Sequence, residues 1–191
     1  MQELALIIIG TVLVNNFVLV QMLGVCHFVG VSDARETAVA MGVATIFVLT
    51  LSGMVNHLLH VWLLAPLGLE YLRIIAFILV IAGVAQFARL FMERNYPLLV
   101  RRFGIFMPLI AVNCAILGAA LQNVAMQHGF IQATFHSFGA ALGFSLVLLL
   151  FAALRERLAA ADVPEPFKGS AIVMITAGLA SLAFMGFAGL A

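Results

Sequence analysis

The chain has 191 residues, of which 65% are apolar and only 9% are charged, and its mean hydropathy is +1.21. Soluble globular domains carry a charge at about a quarter of their positions, so this composition excludes a soluble protein and indicates a membrane protein. The formal net charge is +1, which leaves no electrostatic basis for binding nucleic acid.

The N-terminus, Met1-Gln2-Glu3, lacks the positively charged flank of a secretory signal, and no small-residue cleavage site follows it. We therefore expect the first apolar stretch to remain in the mature protein.

Six apolar stretches are long enough to cross the hydrocarbon core of a bilayer, which takes about 20 helical residues. In chain order they are residues 4–25, 38–64, 72–91, 103–125, 134–154 and 170–190. The connections have roughly 7 to 16 residues, too few for a catalytic or nucleotide-binding domain. The sequence predicts an all-α integral membrane protein with six transmembrane helices.

The distribution of basic residues predicts the orientation, because Lys and Arg in short loops stay on the cytoplasmic side. Eight of the nine basic residues belong to one end of the predicted bundle, and only Arg73 belongs to the other. Both termini are therefore expected on the outer side.

Two similar segments hold the only cysteines: GVCHFVG at 24–30 and VNCAILG at 112–118, each with a glycine four residues after the cysteine. They belong to the first and fourth apolar stretches, which divides the chain into halves at 1–95 and 96–191. Because each half has three helices, the halves would be inverted repeats within one membrane domain.

The position of Cys114 predicts a break in the first helix. It lies 11 residues after Phe103, which is about 16 Å of helix and near the middle of a core about 30 Å thick. An inverted copy places Cys26 at the same depth, whereas an unbroken helix from Leu4 would carry it almost to the cytoplasmic face. We therefore expect broken or half helices at the first helix of each repeat.

Asparagines mark where the breaks are expected. Asn15 and Asn16 stand in the middle of the first stretch, and Asn113 stands beside Cys114 as their polar counterpart. Asparagine competes for backbone hydrogen bonds, and non-helical backbone at membrane depth persists only where protein or a cavity surrounds it.

The residues leave three roles open for the cysteines. They could be buried small apolar residues, a disulfide if their Cα atoms lie within about 7 Å, or ligands of an iron-sulfur centre. A [2Fe-2S] cluster takes four cysteines, so a second chain would have to supply two. Gly30 and Gly118 would then let the backbone pass close to the cluster, and free amides at a helix break would stabilise the negative charge of the cluster. The pattern alone favours the first role.

The other polar residues suggest structural roles. His57 and His60 are assigned to the outer end of the second helix, and His128 and His136 to the outer loop, where an interfacial position explains all four. His27 follows Cys26 and either is a spectator or tunes or shields the site. A G-x-x-x-G pair, Gly139 and Gly143, predicts a close helix contact.

Four longer segments carry a family resemblance. They are GTVLVNNFVLVQMLGVC (10–26), FMPLIAVNCAILG (106–118), GFSLVLLLFAALRERL (143–158) and ITAGLASLAFMGFAG (175–189). Together they resemble the RnfA/NqrE family, whose members are membrane subunits of Rnf electron-transport complexes and of sodium-pumping NADH:quinone oxidoreductases. The resemblance covers essentially the whole chain.

The resemblance implies that Cys26 and Cys114 each bind an intramembrane [2Fe-2S] cluster, completed by two cysteines of the paralogous, oppositely oriented partner RnfE. It implies a membrane component of an ion-translocating ferredoxin:NAD oxidoreductase that carries electrons through the bacterial inner membrane, coupled to movement of Na+ or H+. Both termini would then be periplasmic.

The remaining chemistry of such a complex belongs to other subunits. The resemblance implies FMN, riboflavin and further iron-sulfur clusters in those subunits, and no catalytic activity in the isolated chain. The further partners it implies are RnfB, RnfC, RnfD, RnfG and membrane lipid.

One position departs from the family pattern, because relatives commonly have proline where this chain has His27. Proline would fix φ and remove a backbone donor, so histidine leaves the backbone freer and can add an N–H toward a sulfur.

Three alternatives remain. The first is an NqrE subunit of the sodium-pumping oxidoreductase. The second is a secondary transporter, a class that also uses inverted repeats with broken helices, in which Asn15, Asn16 and Asn113 would coordinate an ion or a small substrate. The third is a purely structural anchor.

Overall fold

A computed structural model describes residues 8, 10–14, 16–26, 35–95, 107–159, 164 and 169–188. Every regular element within these ranges is helical, so the predicted all-α architecture is confirmed for the described chain.

The first apolar stretch is not one continuous helix. It contains a π-helical segment, Gly10–Val14, and a short helix α1, Phe17–Gln21, with Asn16 between them. The Asn16 side-chain oxygen accepts a hydrogen bond from the Val18 amide at 3.1 Å, which is how an N-cap residue starts a helix. Asn16 therefore lies at an interruption, as predicted, while Asn15 falls outside the described residues.

A second interruption follows α1. The chain turns at Met22, Leu23 and Gly24 before helical structure resumes at Val25 and Cys26. Met22 and Gly24 have φ values of 53° and 84°, so two residues of this turn adopt the left-handed backbone region.

Three long helices form the body of the described chain. Helix α2, Arg35–Leu59, continues through a π-helical turn, His60–Leu64, and a last turn, Ala65–Leu67. Helix α3 covers Arg73–Asn95 after a 3-10 turn. These two helices and the helix Phe130–Ala159 contain the segments long and apolar enough to span a membrane: Ala38–Leu67, Glu70–Arg94 and Phe130–Leu158.

The fourth stretch is broken, as predicted. It consists of α4, Met107–Ala111, and α5, Cys114–Ala125, with Val112 and Asn113 between them. Helix α6 is Phe130–Ala159, and α7 is Ser170–Ala188. In the described parts of the fourth and sixth stretches the apolar segments are shorter than a full span: Leu109–Ala125, which includes the break, and Ala171–Ala183. The six-span count, the inverted relation of the halves and the division at residue 95 remain predictions.

Helix α6 lies at the centre and packs along α2, α5 and the first stretch. Small residues permit the close approach: the Ser145 hydroxyl donates to the Gly42 carbonyl at 3.0 Å, and a Cβ added to Gly53 would lie 2.7 Å from the Ser137 Cβ. Helices in lipid associate by this kind of close packing, because lipid is as apolar as a leucine side chain.

The predicted contact at the G-x-x-x-G pair is confirmed. A Cβ on Gly143 would lie 3.1 Å from the Val12 Cα, and one on Gly139 would lie 3.3 Å from the Ile8 Cα. The Asn16 side-chain amide also donates to the Gly143 carbonyl at 3.0 Å. The broken first stretch is thus held against the middle of α6.

Candidate functional site at two helix breaks

The breaks in the first and fourth stretches meet in space. The backbone amide of Gly24 donates a hydrogen bond to the sulfur of Cys114, with a nitrogen to sulfur distance of 2.9 Å. Gly24 belongs to the turn after α1, and Cys114 is the first residue of α5. Each cysteine directly follows a helix interruption, and the two interruptions form one site.

Gly24 fits this site because it has no side chain. A Cβ there would lie 2.6 Å from Cε2 of Phe144 and 3.2 Å from the side-chain oxygen of Asn113, and the φ of +84° is disfavoured for other residues. The contact between the Gly24 amide and Cys114 therefore depends on glycine.

Asn113 prepares the start of α5. Its side-chain oxygen accepts from the Ala115 amide at 3.0 Å, so it is the N-cap of the helix. Asn113 is 2% exposed, and its side-chain nitrogen has no hydrogen-bond partner among the described residues. The first turn of a helix also presents free amides and the positive end of the helix dipole. Cys114 therefore stands at the end of α5 where unpaired backbone amides are found.

Cys26 lies close to this sulfur along the chain. It follows Gly24 by two residues, which span at most about 7 Å, so its backbone nitrogen lies within about 10 Å of the Cys114 sulfur. Cys26 is exposed, Cys114 is half-buried, and both thiols are free. The two cysteines are therefore not joined in a disulfide, and Cys26 is not a buried apolar residue in this chain.

A cleft of about 170 Å³ opens beside Cys114. It is lined by Ile78, Ile81, Ala111, Val112, Asn113, Cys114 and Leu117. Across the described ranges, no group of three or more His, Cys, Asp or Glu side chains is arranged to hold a metal ion. The chain thus presents two thiols and a largely apolar wall, which fits half of a four-thiolate iron-sulfur site and not a complete one.

The remaining predicted residues differ in their relation to the site. Gly118 is half-buried and follows Cys114 by four residues, on the same face of α5. His27 and Gly30 fall outside the described residues.

Asn16 is not the positional counterpart of Asn113. Both cap a helix through the same hydrogen bond to the amide two residues later, but Asn16 stands ten residues before Cys26 and Asn113 only one before Cys114. Its amide nitrogen bonds the Val12 and Gly143 carbonyls at 3.1 and 3.0 Å. Asn16 therefore fixes the first stretch to α6, and the turn at residues 22–24 is the interruption that directly precedes the Cys26 segment.

Sequence reasoning missed Gly24 and Phe144. Gly24 opens the quoted cysteine segment, but the repeated spacing draws attention to the glycine after each cysteine. A glycine two residues before a cysteine, at the end of a short helical stretch, is the signal that points to a turn there.

The histidines meet at the other end of α5. The His128 and His136 rings have centroids 5.2 Å apart, and His128 Nδ1 lies 3.3 Å from the Asn123 side-chain oxygen. His57 faces Phe130 at 6.0 Å between ring centroids. Burial lowers the pKa of His128 below its usual 6.5, so the neutral form of its ring predominates at pH 7.

The predicted loop position of His136 is wrong. Helix α6 begins at Phe130, so His136 lies in its second turn, and it is only 3% exposed. Its ring packs beside that of His128, and it directly precedes Ser137, which packs on Gly53 of α2.

The chain is similar to known membrane proteins of one family along almost its whole length. A family model described as Rnf-Nqr subunit, membrane protein, matches residues 4–191. A protein of Thioalkalivibrio sulfidiphilus, named for its place in an ion-translocating oxidoreductase complex, is 63% identical over 190 residues, covering 100% of this chain and 99% of the relative. Relatives of the same name from Aliivibrio salmonicida and Hahella chejuensis are each 60% identical over 190 residues, covering 100% of this chain and 98% of the relative.

Proposed function

This chain belongs to the Rnf-Nqr family of membrane subunits, and we propose that it is the RnfA component of an ion-translocating oxidoreductase complex. In this proposal the chain carries electrons through the bilayer, and Cys26 and Cys114 supply half of the ligands of a [2Fe-2S] cluster. Movement of Na+ or H+ across the membrane is coupled to the electron transfer.

The observation that supports the proposal most directly is the hydrogen bond from the Gly24 amide to the Cys114 sulfur. Hydrogen bonds to cysteine sulfurs are a main determinant of the potential of an iron-sulfur cluster. A backbone amide directed at a sulfur, from a position that requires glycine, is a suitable arrangement for holding a thiolate in an apolar environment.

The number of thiols requires a partner. The chain has two cysteines, and a [2Fe-2S] cluster takes four, so the paralogous protein RnfE would contribute the other two. Cys26 is exposed on this chain, and Val112, two residues before Cys114, is 77% exposed. These residues form the surface on which RnfE would close the site.

A bound [2Fe-2S] cluster would supply one-electron transfer within the membrane. Cys26 and Cys114 would supply two of the four cysteine sulfurs that hold the cluster. The Gly24 amide and the Asn113 side chain would donate hydrogen bonds at this site, and the Ile78, Ile81 and Leu117 side chains of the cleft would exclude water. A thiolate needs such donors because burying a charge without hydrogen bonds is costly.

Charge at the helix ends supports the orientation with periplasmic termini. Arg89 and Arg94 lie near the end of α3, and Arg155 and Arg157 lie near the end of α6. Because basic residues favour the cytoplasmic side, this end of the bundle would face the cytoplasm and the His128 end would face the periplasm.

The test uses the intact complex purified in mild detergent. We expect Cys26→Ser and Cys114→Ser each to abolish the EPR signal of the reduced intramembrane [2Fe-2S] cluster and to lower the iron content by about two atoms per complex. Gly83→Ala is the control, because a Cβ on Gly83 meets nothing within 4 Å and the substitution leaves the break and both thiols in place. Copurification of RnfE and RnfD shows that each variant complex has assembled.

An intramembrane [2Fe-2S] signal of full intensity in both cysteine variants would contradict the proposal. A signal lost equally in Gly83→Ala would show that the loss does not depend on the thiols, and would also count against a specific ligand role.

A further inference from the structure

Five polar side chains on α2, α5 and α6 are buried in the half of the bundle that carries His128. We call these residues the polar core: Ser52, Asn56, Asn123, His136 and Ser137, with exposures of 0, 1, 2, 3 and 0%. None of the five is a carboxylate. Polar residues buried within membrane-spanning helices carry a free-energy cost and usually have a function. The polar core is therefore a candidate functional site.

The packing of α2 against α6 brings the polar core together. The two helices run antiparallel: Gly53 packs on Ser137, and His57, one turn after Gly53, faces Phe130, two turns before Ser137. This register places Asn56 level with Ala133, one turn from Ser137 on the same helix face.

Asn123 of α5 completes the group. Its side-chain nitrogen donates to the Ser137 hydroxyl at 2.9 Å and approaches the Ala133 carbonyl at 3.4 Å. Its oxygen lies 3.3 Å from His128 Nδ1. Asn123 therefore connects the polar core to His128, which lies between α5 and α6 at the end of the bundle.

Ser52 and Asn56 have hydrogen-bonding capacity that the described chain does not use. The Ser52 hydroxyl and both polar atoms of the Asn56 side chain are buried and have no partner among the described residues. Thr45, equally buried on the same helix, instead donates to the Met41 carbonyl at 2.8 Å. Because an unpaired buried amide is strongly unfavourable, a ligand is the simplest explanation for Ser52 and Asn56.

The chemistry of these atoms indicates the class of ligand. Hydroxyl and amide oxygens are ligands of hard cations, and the absence of a carboxylate from the polar core favours a single charge over a divalent ion. The Asn56 nitrogen cannot bind a cation but can donate to a water that remains on the ion.

We propose that Ser52 and Asn56 bind a partly hydrated monovalent cation of the Na+ type, which enters from the His128 end. Ser137 is seven residues into α6, so the site would lie about 10 Å from the start of that helix. This inference rests on and deepens the ion-coupling part of the proposed function and does not involve Cys26 or Cys114.

The histidines at this end of the bundle are His128 and His136, whose ring centroids lie 5.2 Å apart, and His57 and His60, which belong to α2 and the π-helical turn after it. Protonation of any of them would repel a bound cation, so the binding experiment is done at pH 8.

The test compares the thermal unfolding of the purified complex in NaCl and in choline chloride at equal ionic strength. A ligand that binds only the folded state raises the unfolding temperature. We expect Na+ to raise it for the wild type and for the control Thr45→Val, and to have no effect on Asn56→Leu. In choline chloride, Asn56→Leu should be at least as stable as the wild type, because the unpaired amide is gone.

A second measurement records the Na+ concentration that gives half-maximal electron transfer. Loss of a coordinating or supporting group typically weakens metal binding about tenfold or more, so Asn56→Leu and Ser52→Ala should raise this concentration by at least that factor. The [2Fe-2S] EPR signal should persist in both variants, which separates this test from that of the cysteines.

The inference is overturned if Na+ stabilises Asn56→Leu as much as the wild type, or if Na+ does not stabilise the wild type. If Asn56→Leu fails to assemble, Ser52→Ala decides by the same comparison, because it removes only one hydroxyl.

Discussion

The amide of Gly24 and the sulfur of Cys114 lie 2.9 Å apart, although 90 residues separate them in the chain. The hydrogen bond joins the turn after α1 to the start of α5 and brings the two cysteine segments together. Substitutions in either segment should therefore affect the same site.

Replacing Gly24 by alanine should destabilise the protein and disturb the proposed cluster. The added Cβ would meet Phe144 at 2.6 Å on a backbone with φ +84°, and a strained residue of this kind costs about 1 to 3 kcal/mol. Thermal unfolding of the complex gives the stability, and EPR gives the shape and midpoint potential of the cluster signal.

Gly83→Ala is the matched control for that substitution. A Cβ on Gly83 meets nothing within 4 Å, and alanine is favoured over glycine inside a helix by about 0.5 to 1 kcal/mol. If Gly24→Ala behaved like Gly83→Ala, the close approach of the Gly24 turn to Cys114 would be wrong.

Asn113→Asp should keep α5 intact and lower the potential of the proposed cluster. The carboxylate retains the oxygen that caps the Ala115 amide, because aspartate and asparagine are comparable N-caps. It replaces the Asn113 N–H groups by a negative charge next to Cys114, which disfavours reduction. We expect a decrease of about 50 mV or more, equivalent to roughly 1 kcal/mol for one electron, in an EPR redox titration.

Asn113→Ala separates the two effects of that substitution. It removes the cap, so the complex should lose about 1 kcal/mol of stability, but it adds no charge and should change the potential less than Asn113→Asp. Equal potentials in the two variants would show that the carboxylate does not act on the cluster.

Asn16→Leu should destabilise the protein without altering the cluster signal. The substitution removes bonds to the Val12 and Gly143 carbonyls and the cap of α1, and each lost buried hydrogen bond costs about 1 to 3 kcal/mol when its partner is left unpaired. Thermal unfolding and EPR of the same sample check both parts. A stable variant with impaired ion transport would instead favour the transporter hypothesis, in which Asn16 binds the ion.

Lowering the pH should destabilise the end of the bundle around His128. Burial lowers the pKa of His128 from 6.5, so the folded state holds its proton less tightly than the unfolded state does. The stability that depends on a neutral His128 ring is fully present above pH 6.5 and is lost as the pH falls below that value. The wild type should therefore lose more thermal stability between pH 7.5 and 5.5 than His128→Gln, and equal losses would contradict the prediction.

The sequence by itself determined the class of protein and much of the helix pattern. Bilayer thickness sets the length of a spanning helix, so apolar stretches alone located the long helices within residues 38–67, 70–94 and 130–158. The breaks at Asn16 and Asn113 were also predictable, because they depend on what an asparagine side chain does to its own backbone. The family resemblance is confirmed by the match over residues 4–191, and the ligand role of Cys26 and Cys114 remains a prediction.

Only the tertiary structure showed which residues meet. Neither hydropathy nor spacing predicts that the Gly24 amide contacts Cys114, that His136 is buried, or that Asn16 is bonded to Gly143 while Asn56 is left with unpaired polar atoms. These facts depend on the rotation and register of helices distant in sequence. In lipid, where apolar surface alone does not select a helix partner, that arrangement is decided by close contacts between small residues such as Gly42, Gly53 and Gly143 and the side chains that face them.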